Sequence, residues 1–130
     1  MPKTYQIRVF GKSGCEKCAV LNQRIEKILA DKQWQDFEKQ YYDMDTEEGL
    51  IMFSEAECIN PHRIPALLIA RWNQTAQEYE PEPARLSETP EVPARSRLCQ
   101  YLGVQTDYGD EGRGVITPNM IRAALAEARR

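Results

Sequence analysis

Phe10-Gly11-Lys12-Ser13-Gly14-Cys15-Glu16-Lys17-Cys18 is the stretch on which the reading of this chain turns. It follows an extended run, Tyr5-Gln6-Ile7-Arg8-Val9-Phe10, and leads straight into a strongly helical segment. A strand, a turn of small residues, two cysteines spaced C-x-x-C and then a helix is a layout suited to redox chemistry. The first thiol of such a pair stands at the positive end of a helix, where a thiolate is favoured. Lys12 and Lys17 add to that effect and Glu16 opposes it.

Working outward, the 130 residues are enough for one domain with a single core. Hydrophobic residues make up 42% and charged residues 28%, ordinary for a soluble globular chain. A formal net charge of -3 gives no broad basic surface, so nucleic acid is not an expected partner. No apolar run approaches the ~20 residues that cross a bilayer, so no membrane partner is expected either. Met1-Pro2-Lys3-Thr4-Tyr5 enters a strand without the apolar stretch of a signal peptide, which leads to the expectation of a cytoplasmic protein. Four cysteines are too few for a secreted disulfide scaffold. In a reducing compartment a close pair reads instead as redox-active or metal-binding.

Residues 4–10 alternate, with Tyr5, Ile7, Val9 and Phe10 apolar, and predict a first strand. From Cys15 to about Asp31, Cys18, Leu21, Ile25, Ile28 and Leu29 recur at helical spacing and predict an amphipathic helix. Trp34 and Phe37 read as core residues at its exit. Residues 37–44 predict a second strand. Asp45-Thr46-Glu47-Glu48 predicts a capping box opening a second helix that runs through Leu50, Phe53 and Cys58 to Asn60-Pro61. Ile64-Pro65 then opens a continuous apolar run to Ala70, a buried strand, and residues 71–79 turn at Asn73-Gln74 into a polar antiparallel strand.

Residues 80–97 hold four of the eight prolines and read as a loop outside the core. The charges of 78–91 read first as a solvated loop, in a position that could also suit partner recognition. Leu98–Val104 forms an apolar island read as a packed turn or strand, and Gly109, Gly112 and Gly114 follow in a flexible stretch. Thr117-Pro118 starts the last helix, with Ile121, Ala124, Leu125 and Ala128 on its apolar face. The order is β-α-β-α-β-(β)-α, and strands joined through helices are expected to be parallel with right-handed crossovers.

That order, with Cys15 and Cys18 after the first strand and Ile64-Pro65 opening a later one, resembles the thioredoxin-fold superfamily. Within it the chain is most similar to glutaredoxin. Phe10-Gly11-Lys12-Ser13-Gly14-Cys15 is similar to the glutaredoxin approach to its active site, which has a lysine three residues before the first cysteine. Gln40-Tyr41-Tyr42-Asp43-Met44-Asp45 looks like the family's second strand, and Arg63-Ile64-Pro65 sits where the family has threonine-valine-cis-proline. The likeness covers about residues 4–72 and 115–129. Glu16-Lys17 stands in place of the family's Pro-Tyr, and Tyr108-Gly109-Asp110 only faintly echoes its Gly-Gly-x-Asp element.

The resemblance implies a thioredoxin-like α/β fold, a central mixed four-stranded sheet flanked by helices, spanning 1–130 as one domain with an atypical Pro-rich insertion at 80–114. It implies a thiol–disulfide oxidoreductase, a glutaredoxin- or thioredoxin-like reductase of protein disulfides or mixed disulfides. Cys15 would be its nucleophile and Cys18 its resolving thiol. Lys12 would contact a glutathione carboxylate, and Ile64 and cis-Pro65 would bind substrate. No cofactor is required under this reading. Its partners are a disulfide-containing protein substrate and a thiol reductant, glutathione for instance, or a reductase.

The residues also admit other readings. His62 lies four residues after Cys58, and with Cys15 and Cys18 these could form a zinc set of three thiolates and one imidazole. A binding module holding zinc or an iron–sulfur cluster is therefore the alternative, although both residues read first as structural or exposed and no metal ligand is assigned. A non-catalytic thioredoxin-fold interaction protein is a third reading. Cys99 reads as a buried small hydrophobe or a spare thiol.

Overall fold

The computed structural model describes residues 2–55, 63–83, 101–106 and 116–129. At its centre runs β1 (Tyr5–Gly11), all seven residues of which are buried. Alternation sends Tyr5, Ile7 and Val9 into one apolar cluster and Phe10 into a second on the opposite face. On one side β1 pairs in parallel with β2 (Phe37–Asp43), from Tyr5 opposite Phe37 to Gly11 opposite Asp43. On the other it pairs antiparallel with β3 (Ala66–Asn73), Phe10 opposite Ala66. The outer edge of β3 carries both β4 (Glu78–Pro81) and β5 (Gly103–Gln105), each antiparallel to it.

The expectation of parallel strands thus holds for β1 and β2 and fails for β3. The helix α2 (Glu47–Ser54) follows β2. β3 begins opposite Phe10, at the end of β1 that lies beside the end of β2, so the chain re-enters the sheet where β2 left it and β3 runs the other way. The result is an α/β structure with a mixed sheet.

The fourth lane of that sheet is interrupted. Ile69 of β3 accepts a hydrogen bond from Glu82 N at 2.9 Å and donates its own amide to Leu102 O at 2.9 Å, while Leu102 N donates to Glu82 O at 2.7 Å. Residues 78–82 and 102–105 therefore line one edge as a single interrupted strand, and a Pro83–Tyr101 bridge closes the neck. Part of the 80–114 insertion is accordingly built into the sheet. Leu102 and Val104 are core residues and Thr106 is fully buried. The expected loop of 80–97 is strand through Pro81, and its residues from 84 onward lie outside the described ones.

α1 (Glu16–Leu29) and α3 (Pro118–Ala128) cover one face through Leu21, Ile25, Ile28, Ile121, Ala124 and Leu125. A single 3-10 turn, Lys32–Trp34, follows α1, and Trp34 and Phe37 are buried as expected. Thr117 caps α3, accepting from Met120 N at 3.2 Å, with Pro118 in the first turn. α2 packs on the other face through Met52 and Phe53. Its cap is Thr46, which accepts from Gly49 N at 3.0 Å, so glycine stands where a reciprocal capping box needs a glutamate. The predicted continuation of α2 to Cys58 and Asn60 lies outside the described residues.

Two arginines fix the carboxyl end of α3. Arg71 pairs with Glu82 at 2.9 Å and donates to the Ala128 carbonyl at 3.2 Å. Arg129 forks onto both oxygens of Asp36 and lies over the Trp34 ring, 4.4 Å from its centroid.

A Cβ at Gly49 would overlap the Asp43 backbone carbonyl oxygen, so Gly49→Ala is expected to destabilise by about 1–3 kcal/mol in urea unfolding. Hydrogen bonds from Arg129 hold the Asp36 carboxyl below its usual range. A carboxyl depressed in the folded state stabilises above its unfolded pKa and stops doing so as pH falls through the folded one. Asp36→Asn should therefore cost about 0.5–1 kcal/mol at neutral pH, the scale of a solvent-screened pair. That deficit should shrink as pH falls below the ordinary aspartate range, as thermal unfolding across pH would show.

Candidate functional site

Where β1 ends, Lys12, Ser13 and Gly14 turn the chain, Gly14 at a φ of +77°, a conformation that suits glycine. Cys15 N donates to the Lys12 carbonyl at 3.3 Å, closing the turn. Cys15 is the N-cap of α1, in extended backbone, and its Sγ accepts from Cys18 N at 3.1 Å. The first thiol thus occupies the place a serine or aspartate oxygen takes at other helix starts, where an amide and the helix dipole favour negative charge. Cys15 is half-buried, whereas Cys18, one turn on, is 1% exposed. Their Cα atoms are 5.2 Å apart and the two sulfurs stand at disulfide distance.

The turn is tied to the neighbouring strand. Met44 N donates to Gly11 O at 2.7 Å, and the Ser13 hydroxyl donates to Asp43 Oδ2 at 2.7 Å. Asp43 Oδ1 accepts the Asp45 amide at 2.8 Å. That amide first, and the Ser13 hydroxyl second, lower the Asp43 pKa, keeping the acceptor ionised.

Opposite the dithiol stands the start of β3. The Ile64–Pro65 peptide is cis. Ile64 is buried in the same apolar cluster as Cys18, Phe10 and Ala66, with Cys15 packed against it. The Pro65 carbonyl accepts both the amide (3.0 Å) and the hydroxyl of Thr106, so β5 holds this loop in place. Pro65 also lines a groove of about 270 Å³ with Glu16, Lys17, Val20, Arg24 and Ile116. Arg24 bridges its far wall by donating to Ile116 O at 2.8 Å.

Of the residues singled out from sequence, Cys15, Cys18, Ile64 and Pro65 come together. Lys12 is exposed at the turn and enters this network through its carbonyl. Cys58, His62, Cys99 and Tyr108-Gly109-Asp110 lie outside the described residues. Among the described ones no three His, Cys, Asp or Glu side chains converge as a metal site, and no helix is long and apolar enough to cross a membrane. Sequence reasoning passed over Ser13, Asp43 and Thr106. It also passed over Gly11, whose missing side chain brings Cys18 and the Tyr41 hydroxyl against the β1 backbone.

Fold and site together define an α/β protein with a mixed sheet and a C-x-x-C pair at disulfide distance on the amino end of its first helix. The chain matches no family model and no curated protein.

The difference in burial has a chemical signature. After reduction, a bulky maleimide should label Cys15 at least about tenfold faster than Cys18, as peptide mapping by mass spectrometry would read. Equal rates would contradict this geometry.

Proposed function

We infer that the protein is a thiol–disulfide oxidoreductase on a thioredoxin-like fold, glutaredoxin-like in detail, that reduces disulfides of protein substrates in the cytoplasm. The observation that carries this reading is the asymmetry of the pair: Cys15 half-buried at the helix cap with an amide at its sulfur, Cys18 buried at disulfide distance behind it. The groove beside Pro65 supports it, because its lining begins at Glu16 and Lys17, next to Cys15 in the chain, and an extended substrate segment can lie there.

The cycle has two exchanges. The Cys15 thiolate attacks one sulfur of the substrate disulfide; a Cys15–substrate bond forms, the substrate S–S bond breaks, and the departing thiolate takes a proton from water. Cys18 then gives up its proton and attacks Cys15 Sγ, forming the Cys15–Cys18 disulfide and releasing the second substrate thiolate. The substrate gains two electrons and the protein loses two. A thiol reductant, glutathione with its carboxylate near Lys12 or a dedicated reductase, returns them by the reverse exchanges. Ile64 and Pro65 border the dithiol and act in binding substrate rather than in electron transfer.

Cys15→Ser should abolish disulfide reductase activity, whereas Cys18→Ser should keep the first exchange and accumulate a covalent substrate adduct at Cys15. Non-reducing electrophoresis with mass spectrometry reads both. Full activity in Cys15→Ser, or stoichiometric metal on these thiols after anaerobic purification, would overturn the assignment.

A further inference from the structure

The second exchange poses a problem that the C-x-x-C pair does not solve alone. Cys18 must act as a thiolate, yet it is 1% exposed and packed among Phe10, Ile64 and Ala66. A charge created there loses its water and needs a donor in exchange. The nearest helix amide does not supply one, since Cys18 N already donates to the Cys15 sulfur.

A donor stands on the other side of Cys18. Gly11 ends β1 opposite Asp43, and Tyr41 lies two residues earlier on β2, opposite Val9. Tyr41, Val9 and Gly11 therefore share the sheet face that α1 covers. The missing side chain of Gly11 leaves a slot that two functional atoms enter from different elements. The Tyr41 hydroxyl oxygen lies 2.7 Å and the Cys18 sulfur 3.0 Å from the point a Cβ would occupy. The two atoms can be no farther apart than those distances laid end to end, a span that a direct or one-water hydrogen bond covers.

We propose that Tyr41 activates the resolving thiol, its hydroxyl donating a hydrogen bond to the Cys18 sulfur while that sulfur is a thiolate. The inference rests on the oxidoreductase reading and concerns its second half. The exchange balances without any further reactant. The Cys18 S–H proton leaves, the Cys18–Cys15 bond forms, the Cys15–substrate bond breaks, and the departing substrate thiolate takes up a proton. Tyr41 keeps its own proton throughout. Its surroundings favour that role: burial first, then the charges of Asp43 and Asp45, push the hydroxyl above the usual phenol range, leaving it a donor. Gly11 is the steric condition for the contact, because any side chain there would displace one atom or the other.

Tyr41→Phe removes the hydroxyl and keeps the ring. The test follows one turnover with a small aryl disulfide, acid-quenched and peptide-mapped so that Cys58 and Cys99 do not obscure the Cys15 adduct. In a Cys18→Ser background the adduct should form at the same rate with Tyr or Phe at position 41. With Cys18 present, Tyr41→Phe should slow its decay by about tenfold, the scale of one hydrogen bond to a charged group. Thermal stability should stay close to the parent's. Gly11→Ala, made as a second variant, should show the same selective slowing. Unchanged decay in Tyr41→Phe overturns the proposal, as does equal slowing of both steps with lost stability, the mark of a purely structural residue. If no adduct forms on Cys15 in the Cys18→Ser background, the oxidoreductase reading itself falls.

Discussion

The hydrogen-bonding of β1 on both edges, with apolar burial on both faces, is the constraint on which the rest of the structure depends. Each residue of the strand is buried, and slipping its register by one would turn Ile7 and Val9 out of one cluster and Phe10 out of the other. The end of the strand is therefore fixed in space as firmly as its middle. Gly11, the turn and the two cysteines follow by covalent continuity. Pairing of Phe10 with Ala66 delivers Ile64 and Pro65 to the same end, and Met44 N on Gly11 O delivers the tip of β2. Three segments distant in sequence thus meet where β1 stops.

The chemistry of the pair then follows from unequal surroundings. One sulfur caps a helix and receives an amide; the other faces inward among aromatic and aliphatic side chains. Two chemically identical thiols thus differ in reactivity, because solvent and dipoles reach them differently. Anchoring around the site is polar and local, through Ser13 with Asp43 and Thr106 with Pro65. Anchoring of the scaffold is farther off, where Arg71 and Arg129 hold the end of α3.

Local pattern carried much of this. Alternation over residues 4–10, helical spacing from Cys18 to Leu29 and the Thr117-Pro118 start each have one physical solution, and the structure adopts it. The direction of β3 was not legible in that way, since an apolar run is the same in either sense and its pairing with β1 in space decides. The α2 cap moved by one residue because Gly49 lets the helix start sit on the Asp43 carbonyl, a contact made in space. β5 has three residues and gains its place by pairing with β3, more than thirty positions away. Cys15, Cys18 and Ile64-Pro65 were recognisable as a set, whereas Tyr41 looked like one more strand aromatic. Its relation to Cys18 exists only once Gly11 has brought two elements together.

The interrupted edge strand has one more consequence. Ile69 bonds Glu82 on one side of the break and Leu102 on the other, so the sheet is complete without regard to the length of chain between Pro83 and Tyr101. Pro83 and Tyr101 therefore mark where the intervening chain must leave and rejoin the sheet, and their pairing sets that crossing point. An edge built from two pieces in this way takes its order from β3, the template strand, and from no continuity of its own.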